Sequence, residues 1–286
     1  MMRLRSLLFA PGDSERKIAK ALAGDADAVI LDLEDAVAPP AKDAARASVA
    51  ALLPGLARAG VIVRVNPEKT PWHLGDLAAV VPGRPAAILL PKCEGPEALL
   101  RLDQRLAALE AAAGLVPGDI ATLALVTETA ASVQALARFG PGLPRLIALS
   151  FGAEDLSADL GIRPRLAGGG FAQPIAVARA LTLIAAAAAG VAAIDTPFPD
   201  PRDPAGLAAE TEAAAADGFS GKYLIHPDQI APAHAAFTPS PERVRWARAV
   251  AELFAANPEA GVMVLEGQMI DRPHQKLALR ILAAAG

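Results

Sequence analysis

The chain is organised by a unit that recurs eight times: a short run of Leu or β-branched residues, a polar or Gly/Pro turn, then a longer stretch of helical composition. The runs are Leu4 to Ala10, Ala28 to Leu33, Val61 to Val65, Ala86 to Leu90, Thr122 to Val126, Leu146 to Ser150, Val191 to Ile194 and Lys222 to Ile225. Stretches such as Pro96 to Ala113 and Ile175 to Ala189 are long enough for crossover helices. Strands alternating with helices predict a parallel sheet, and eight repeats favour a closed α/β barrel, (β/α)8, over an open sheet. At 286 residues the chain fits one such barrel, residues 1–238, plus a C-terminal extension, 239–286. In the extension, Pro241 to Ala255 reads as an amphipathic helix, Val262 to Leu265 as a short extended piece, and Pro273 to Ala285 as a final helix with Pro in its first turn.

Hydrophobic residues make up 53% of the chain and aromatics 4%. Ala, Leu and Val must therefore fill the core, which suits helix-on-sheet packing. The formal net charge is −4, with both signs interspersed, so there is no electrostatic footprint for nucleic acid or anionic lipid. A single cysteine, Cys93, excludes an intrachain disulfide and a Cys-rich zinc site, and a cytoplasmic protein is expected. The apolar run Leu7 to Ala10 is too short for a signal-peptide core, and Ala185 to Ala193, broken by Gly190, is too short for a membrane span.

Polar residues gather at the C-terminal ends of the runs: Pro11-Gly12, Glu34-Asp35, Arg64 with Asn66, Pro91-Lys92, Glu128-Thr129, Gly152 to Asp155, Asp195 and His226-Pro227. In a barrel these ends share one face, where the loops converge on a single mouth and carry catalytic groups. Turn and cap preferences account for any one of them taken alone. Eight in register point to a site.

Glu128 and Asp155 follow the fifth and sixth runs, so their backbones are expected roughly 5 Å apart, one strand spacing. Two carboxylates so close repel unless a cation lies between them. A hard divalent ion answers this, and Mg²⁺ is favoured because two carboxylates leave octahedral positions for water and a bidentate ligand. The plainer reading has one acid capping a helix and the other paired with Arg or Lys. Glu34 and Asp35 bring two more acids to the mouth, one expected to hold metal-bound water and the other to cap the next helix. Asp32 should share Glu34's side of the strand and face the barrel interior. Arg64 has the planar fork to hold a carboxylate or a developing oxyanion, and Arg5 on the first run is read the same way. Lys92 is read as a charge-pairing lysine rather than a Schiff-base one, His226 as structural, and the cations from Arg16 to Lys20 as a solvated helix face.

Together RSLLFAPG, LDLEDAV, VRVN, LLPK, Glu128-Thr129, SFGAEDLSADLG, GKYLIHPDQ and GQMIDRPH resemble the citrate lyase β-subunit-like branch of the HpcH/HpaI aldolase family, from Arg5 to Pro273. The resemblance implies a TIM barrel whose helical extension covers a neighbouring subunit's mouth in homotrimers or hexamers. It also implies cleavage or formation of a carbon–carbon bond in a β-hydroxyacyl thioester. Glu128 and Asp155 match the family's Mg²⁺ ligands, with Glu128 also touching substrate. Arg64 matches the substrate-binding and catalytic arginine, Asp271 a general acid/base acting across the subunit interface, and Arg16 and Lys20 basic positions near CoA. The Gly-rich loop Gly161 to Phe171 is where substrate length is expected to enter.

What the resemblance implies most directly is a Mg²⁺-dependent lyase acting on a CoA thioester such as malyl-CoA or citramalyl-CoA, giving acetyl-CoA and an α-keto acid. A (3S)-malyl-CoA thioesterase and a citrate lyase β subunit acting on a carrier-bound thioester use nearly the same residues. A catalytically silent barrel is disfavoured, because a cluster of repelling carboxylates is costly without a metal.

Overall fold

A computed structural model describes residues 2–56, 60–167 and 169–285. Eight parallel strands close into a barrel in sequence order: β1 (Ser6–Pro11), β2 (Ala28–Asp32), β3 (Val61–Arg64), β4 (Ala87–Leu90), β5 (Ala121–Leu125), β6 (Leu146–Ser150), β7 (Ala192–Asp195) and β8 (Gly221–Leu224). Each agrees with its sequence run to within two residues. The crossovers are α1 (Glu15–Leu22), α2 (Lys42–Leu52), α3 (His73–Val80), α4 (Pro96–Ala112), α5 (Ala130–Ala135), α6 (Glu154–Leu160), α7 (Gln173–Ala189) and α8 (Pro204–Asp217), with α9 (Ile230–Phe237) after β8. The protein is thus a TIM barrel.

Local chemistry sets the element ends. Pro96 and Pro204 open α4 and α8, where a missing N–H is harmless. Gly190 closes α7 at φ 74°, a left-handed shape that a Cβ would oppose. No helix among the described residues is long and apolar enough to cross a membrane.

The period of two along each strand turns the interior from apolar to polar. Ala28 and Ile30 of β2, Ile62 of β3, Leu89 of β4, Leu123 of β5, Ala148 of β6 and Tyr223 of β8 belong to one buried cluster. Each large apolar side chain so buried contributes roughly 1.5–3 kcal/mol. Two residues further on, the same inward set reaches Asp32 on β2, Arg64 on β3 and Ser150 on β6, all buried. Ser150 accepts from Tyr223 Oη at 2.8 Å and donates to the Ala124 carbonyl at 2.9 Å, so this layer is satisfied in the barrel wall.

Arg5 is placed differently from its sequence reading. It precedes β1, as Asp27 precedes β2, and so lies at the barrel end opposite the mouth. There its Nε and Nη2 grip Asp27 at 2.9 and 2.7 Å. An arginine at the start of a parallel strand cannot reach the other end, and Arg5 is not part of the candidate site.

The chain divides into two compact units, Met1–His234 and Ala235–Gly286. In the second, α10 (Pro241–Ala256) and α11 (Arg272–Ala285) pack around Ala247, Val250, Phe254, Ile270, Ala278 and Ile281. Between them, β9 (Val262–Leu265) and β10 (Gln268–Asp271) form an antiparallel hairpin. Its two-residue loop, Glu266 at φ 50° and Gly267 at φ 79°, has the positive φ values whose twist matches a hairpin. The sequence predicts β9 alone, because Glu is an unusual first residue for such a turn.

Candidate active site

The mouth is built on neighbouring strand ends. Asp32, the last residue of β2, accepts the Glu34 N–H at 2.8 Å and the Ala36 N–H at 3.2 Å, folding the chain so that Glu34 and Asp35 stand over the barrel. Register places Arg64 of β3 beside Asp32. The guanidinium makes a two-pronged pair, Nε to Oδ1 at 2.7 Å and Nη2 to Oδ2 at 2.6 Å, and rests 4.7 Å from the Phe9 ring centroid. Its Nη1 lies 2.9 Å from Glu34 Oε2. Burial disfavours the charge of Arg64, but Asp32, Glu34 and Glu128 outweigh it and hold the pKa well above the ordinary value.

Lys92, just past β4, has φ 48°. Its backbone N–H donates to Glu128, and its Nζ lies 2.6 Å from Glu34 Oε1, 3.4 Å from Asp155 Oδ1 and 3.6 Å from Asp35 Oδ1. Glu128 follows β5 and is buried. Burial first, then the charges of Glu34 and Asp155, push its pKa up to about 8 against the pull of the Lys92 N–H and Arg64. Burial likewise raises Glu34, helped by Asp35 and opposed by Arg64 and Lys92. Gly152, after β6, leaves the room that Glu128 occupies, since a Cβ there would stand 3.2 Å from Glu128 Cγ. Asp155 sits in the first turn of α6 and is partly exposed.

Sequence reasoning gave Lys42 no role. Its Nζ is buried and donates to the carbonyls of Leu33 at 2.9 Å and Glu34 at 2.8 Å, pinning the backbone that carries both acids. Burial holds its pKa below the ordinary lysine value. Asn66 Nδ2 converges on the same Leu33 carbonyl at 2.9 Å and on Asp76 at 2.7 Å. Asn66 stands among the polar residues at the end of the third run, whereas Lys42 carries no spacing signal. Lys42 works from the start of α2, and its targets are carbonyls. Asp32's grip on Arg64 depends on strand register, which one sequence does not display.

Other candidates lie apart. Asp195 is buried in an ion network with Arg179 at 2.8 Å and Lys222 at 3.0 Å. His226 Nδ1 accepts the Asp228 N–H at 3.3 Å, a local cap. Arg165, in the loop between α6 and α7, is tied to Glu154, Glu210 and the Pro197 carbonyl. Gly168 of that loop lies outside the described residues. Arg16 and Lys20 are exposed on α1. Asp271, in the second unit, ends β10, and its Oδ1 lies 2.5 Å from His274 Nδ1; that contact holds its pKa below the usual carboxylate range.

A pocket of about 670 Å³ opens beside the acids, lined by Glu34, Asp35, Lys42, Trp72, Lys92 and Arg101 among others. Oxygens of Glu34, Asp35 and Glu128 all lie within 4.8 Å of one another. Glu34 Oε2 is buried with no hydrogen-bond partner, although Arg64 is close. Counted as fully ionised, five carboxylates (Asp32, Glu34, Asp35, Glu128 and Asp155) face three cations (Lys42, Arg64 and Lys92), a formal excess of two negative charges. An all-oxygen donor set, an orphaned carboxylate oxygen and that excess fit a hard divalent cation.

Residues 5–227 match the HpcH/HpaI aldolase/citrate lyase family, and the chain belongs to it. It is 37% identical to the (3S)-malyl-CoA thioesterase of Cereibacter sphaeroides, over 98% of this chain and 94% of that one. The citrate lyase subunit beta of Escherichia coli is 34% identical (98% and 93%), and the mitochondrial citramalyl-CoA lyase of Rattus norvegicus 33% (98% and 86%). The crystal structure of CitE from Mycobacterium tuberculosis with magnesium, acetoacetate and coenzyme A superposes with a TM-score of 0.78 at 35% identity, covering 99% of this chain and 98% of that one. The family is one of lyase- and aldolase-type enzymes.

Proposed function

We propose that the chain is a Mg²⁺-dependent carbon–carbon lyase that cleaves or forms a β-hydroxyacyl-CoA thioester such as malyl-CoA or citramalyl-CoA, giving acetyl-CoA and an α-keto acid. The observation that carries it is the convergence of Glu34, Asp35 and Glu128 on one spot beside a fixed Arg64, with Asp155 held to the same cluster through Lys92.

Glu128 and Asp155 are assigned as metal ligands, with Glu34 and Asp35 holding the water around the ion. Bound Mg²⁺ supplies Lewis acidity toward the hydroxyl and adjacent carboxylate of the ligand. Arg64 has five N–H donors, two of them bonded to Asp32, which leaves the others, beside Glu34, for a substrate carboxylate or for the oxyanion of a thioester enolate. Because Asp32 fixes the guanidinium before substrate arrives, those donors need no reorganisation. Glu128, beside the ligand position, also orients substrate. Arg16 and Lys20, exposed on the first crossover helix, are assigned to the phosphates of CoA.

Asp271 is assigned as the general acid/base that gives a proton to, or takes one from, the methyl carbon of the acetyl thioester, with His274 beside its carboxylate. It is assigned to act from residues 239–286 of another copy in a homotrimer or hexamer, so that the extension serves as lid and assembly element. The Asp271→Asn variant should lose about 10²–10⁴-fold in kcat. Its Mg²⁺ affinity, measured by calorimetry, should change little. Equal loss of both would make Asp271 structural.

The 37% identity to a malyl-CoA thioesterase favours one second reading, in which water attacks the thioester carbonyl at the same site. Incubation with (3S)-malyl-CoA and Mg²⁺ separates the two: glyoxylate with acetyl-CoA marks the lyase, malate with free CoA the thioesterase. Activity on a citryl-carrier thioester alone would favour the citrate lyase subunit. No product from malyl-, citramalyl- or citryl-thioesters would overturn the reading.

A further inference from the structure

We infer that Lys92 preforms the metal seat: it holds the mouth carboxylates together in the metal-free protein and withdraws its ammonium from among them when a divalent ion enters. The inference rests on the Mg²⁺ reading above. One residue touches four of the five acids. Its backbone N–H donates to Glu128, while Nζ lies within 4 Å of Glu34, Asp35 and Asp155. The left-handed backbone at φ 48° aims that N–H at Glu128, and a non-glycine residue keeps such a shape only where its surroundings impose it.

The two cations at the centre of the cluster are held in opposite ways. Arg64 is locked by its fork on Asp32, is buried, and rests against the Phe9 ring. Lys92 is tethered by a flexible four-carbon stem, its side chain is 29% exposed, and it lines the 670 Å³ pocket, so its ammonium has somewhere to go. An ammonium within a few ångströms of a divalent ion is repelled by it, and both are drawn to the same carboxylate oxygens. The ammonium is therefore the group that yields. Without it, the acids repel one another in the metal-free protein, and that repulsion is relieved only when the ion enters.

The test is calorimetric titration of Mg²⁺ into the full-length protein and its Lys92→Met variant, which keeps the length of the stem and removes the charge. Loss of the competing cation should tighten Mg²⁺ binding at least tenfold. The metal-free variant should also melt lower, and Mg²⁺ should raise its Tm by more than it raises that of the parent. Unchanged or weaker binding by a folded variant would overturn the inference. A second measurement needs no variant: acylation of Lys92 in the parent protein by an amine-reactive ester, read by peptide mass spectrometry. Saturating Mg²⁺ should increase labelling several-fold, because the ammonium moves into the pocket; protection or no change would overturn the inference. If the parent binds no Mg²⁺, the metal reading itself falls and this one with it. Binding by the parent without tightening in the variant sinks the Lys92 inference alone.

Discussion

The barrel carries an Arg–Asp fork at each end, built from neighbouring strands, and the two forks have opposite surroundings. At the closed end, Arg5 grips Asp27 at 2.7 and 2.9 Å, the Asp27 N–H donates to Ser6 Oγ at 2.9 Å, and Ser6 Oγ lies 2.7 Å from His234 Nε2. Arg5 holds the Asp27 carboxyl below its usual range even though burial opposes this. At the mouth, Arg64 grips Asp32 at 2.6 and 2.7 Å, but Glu34, Asp35 and Glu128 crowd around it, and Asp155 joins them through Lys92. Two of those acids are pushed up rather than down. The same pairing serves as a finished joint at one end and as one fixed member of an unbalanced cluster at the other. Charge left over, rather than the presence of ion pairs, marks the end where chemistry is expected.

Replacing each arginine by Met gives the largest contrast. Arg64→Met should lower kcat/KM by about 10²–10³-fold, the range for loss of an oxyanion-stabilising donor. It should also destabilise the fold by roughly 3–5 kcal/mol, because Asp32 and Glu34 are left buried without their cation. Arg5→Met should lower stability too, by less, since the pair is partly exposed, and kcat/KM should stay within about twofold. Denaturant melts alongside steady-state kinetics check both. A comparable loss of activity in Arg5→Met would erase the distinction between the two ends.

Without metal, the mouth should also respond to pH in the opposite sense to the closed end. The pKa of Glu128 is raised to about 8 in the folded chain, so between its unfolded value near 4.5 and 8 the native state binds more protons than the unfolded state. Stability then falls as pH rises through that window, by an amount on the order of a few kcal/mol. Saturating Mg²⁺ should flatten this slope and, near pH 7, displace a proton on binding, visible as a buffer-dependent calorimetric heat. A metal-free protein whose Tm does not fall between pH 5 and pH 8 would show that Glu128 is charged throughout.

The fold and the mouth differed in how far the sequence disclosed them. Strand positions were legible because each run is apolar, short and bounded by turn residues, and Glu34, Arg64, Lys92, Glu128 and Asp155 were legible as the polar residues at or just past the ends of the runs. Partnership was not. That Asp32 faces Arg64 is a consequence of β2–β3 register, and that Lys42 reaches back to the Leu33 and Glu34 carbonyls is a consequence of how α2 packs. Arg5 was misplaced because a run of apolar residues fixes a strand but leaves its first residue uncertain by one or two positions. In a parallel barrel that uncertainty decides which end a charged side chain occupies.

The smallest expected effect lies at the closed end. His234 Nε2 is 2.7 Å from Ser6 Oγ and 3.4 Å from Asp27 Oδ1, at the last residue of the barrel unit. Burial, then Arg5, lower its pKa, with Asp27 and Asp25 pulling the other way and Arg3 adding to the depression. A histidine held neutral in the native state but free to charge in the unfolded one makes the unfolded state bind more protons below its ordinary pKa of about 6.5. Stability is therefore lost as pH falls through that region, the reverse of the mouth. His234→Gln removes the titration together with the ring's hydrogen bond to Ser6 Oγ. It should lower stability at pH 8 by only about 0.5–1.5 kcal/mol, the range for one hydrogen bond. It should also shrink the difference in Tm between pH 7 and pH 5.5. If the parent and the variant lose Tm in parallel over that interval, His234 does not carry the acid response of the closed end, and Asp27, whose stabilising charge is lost only at lower pH, is left as its source.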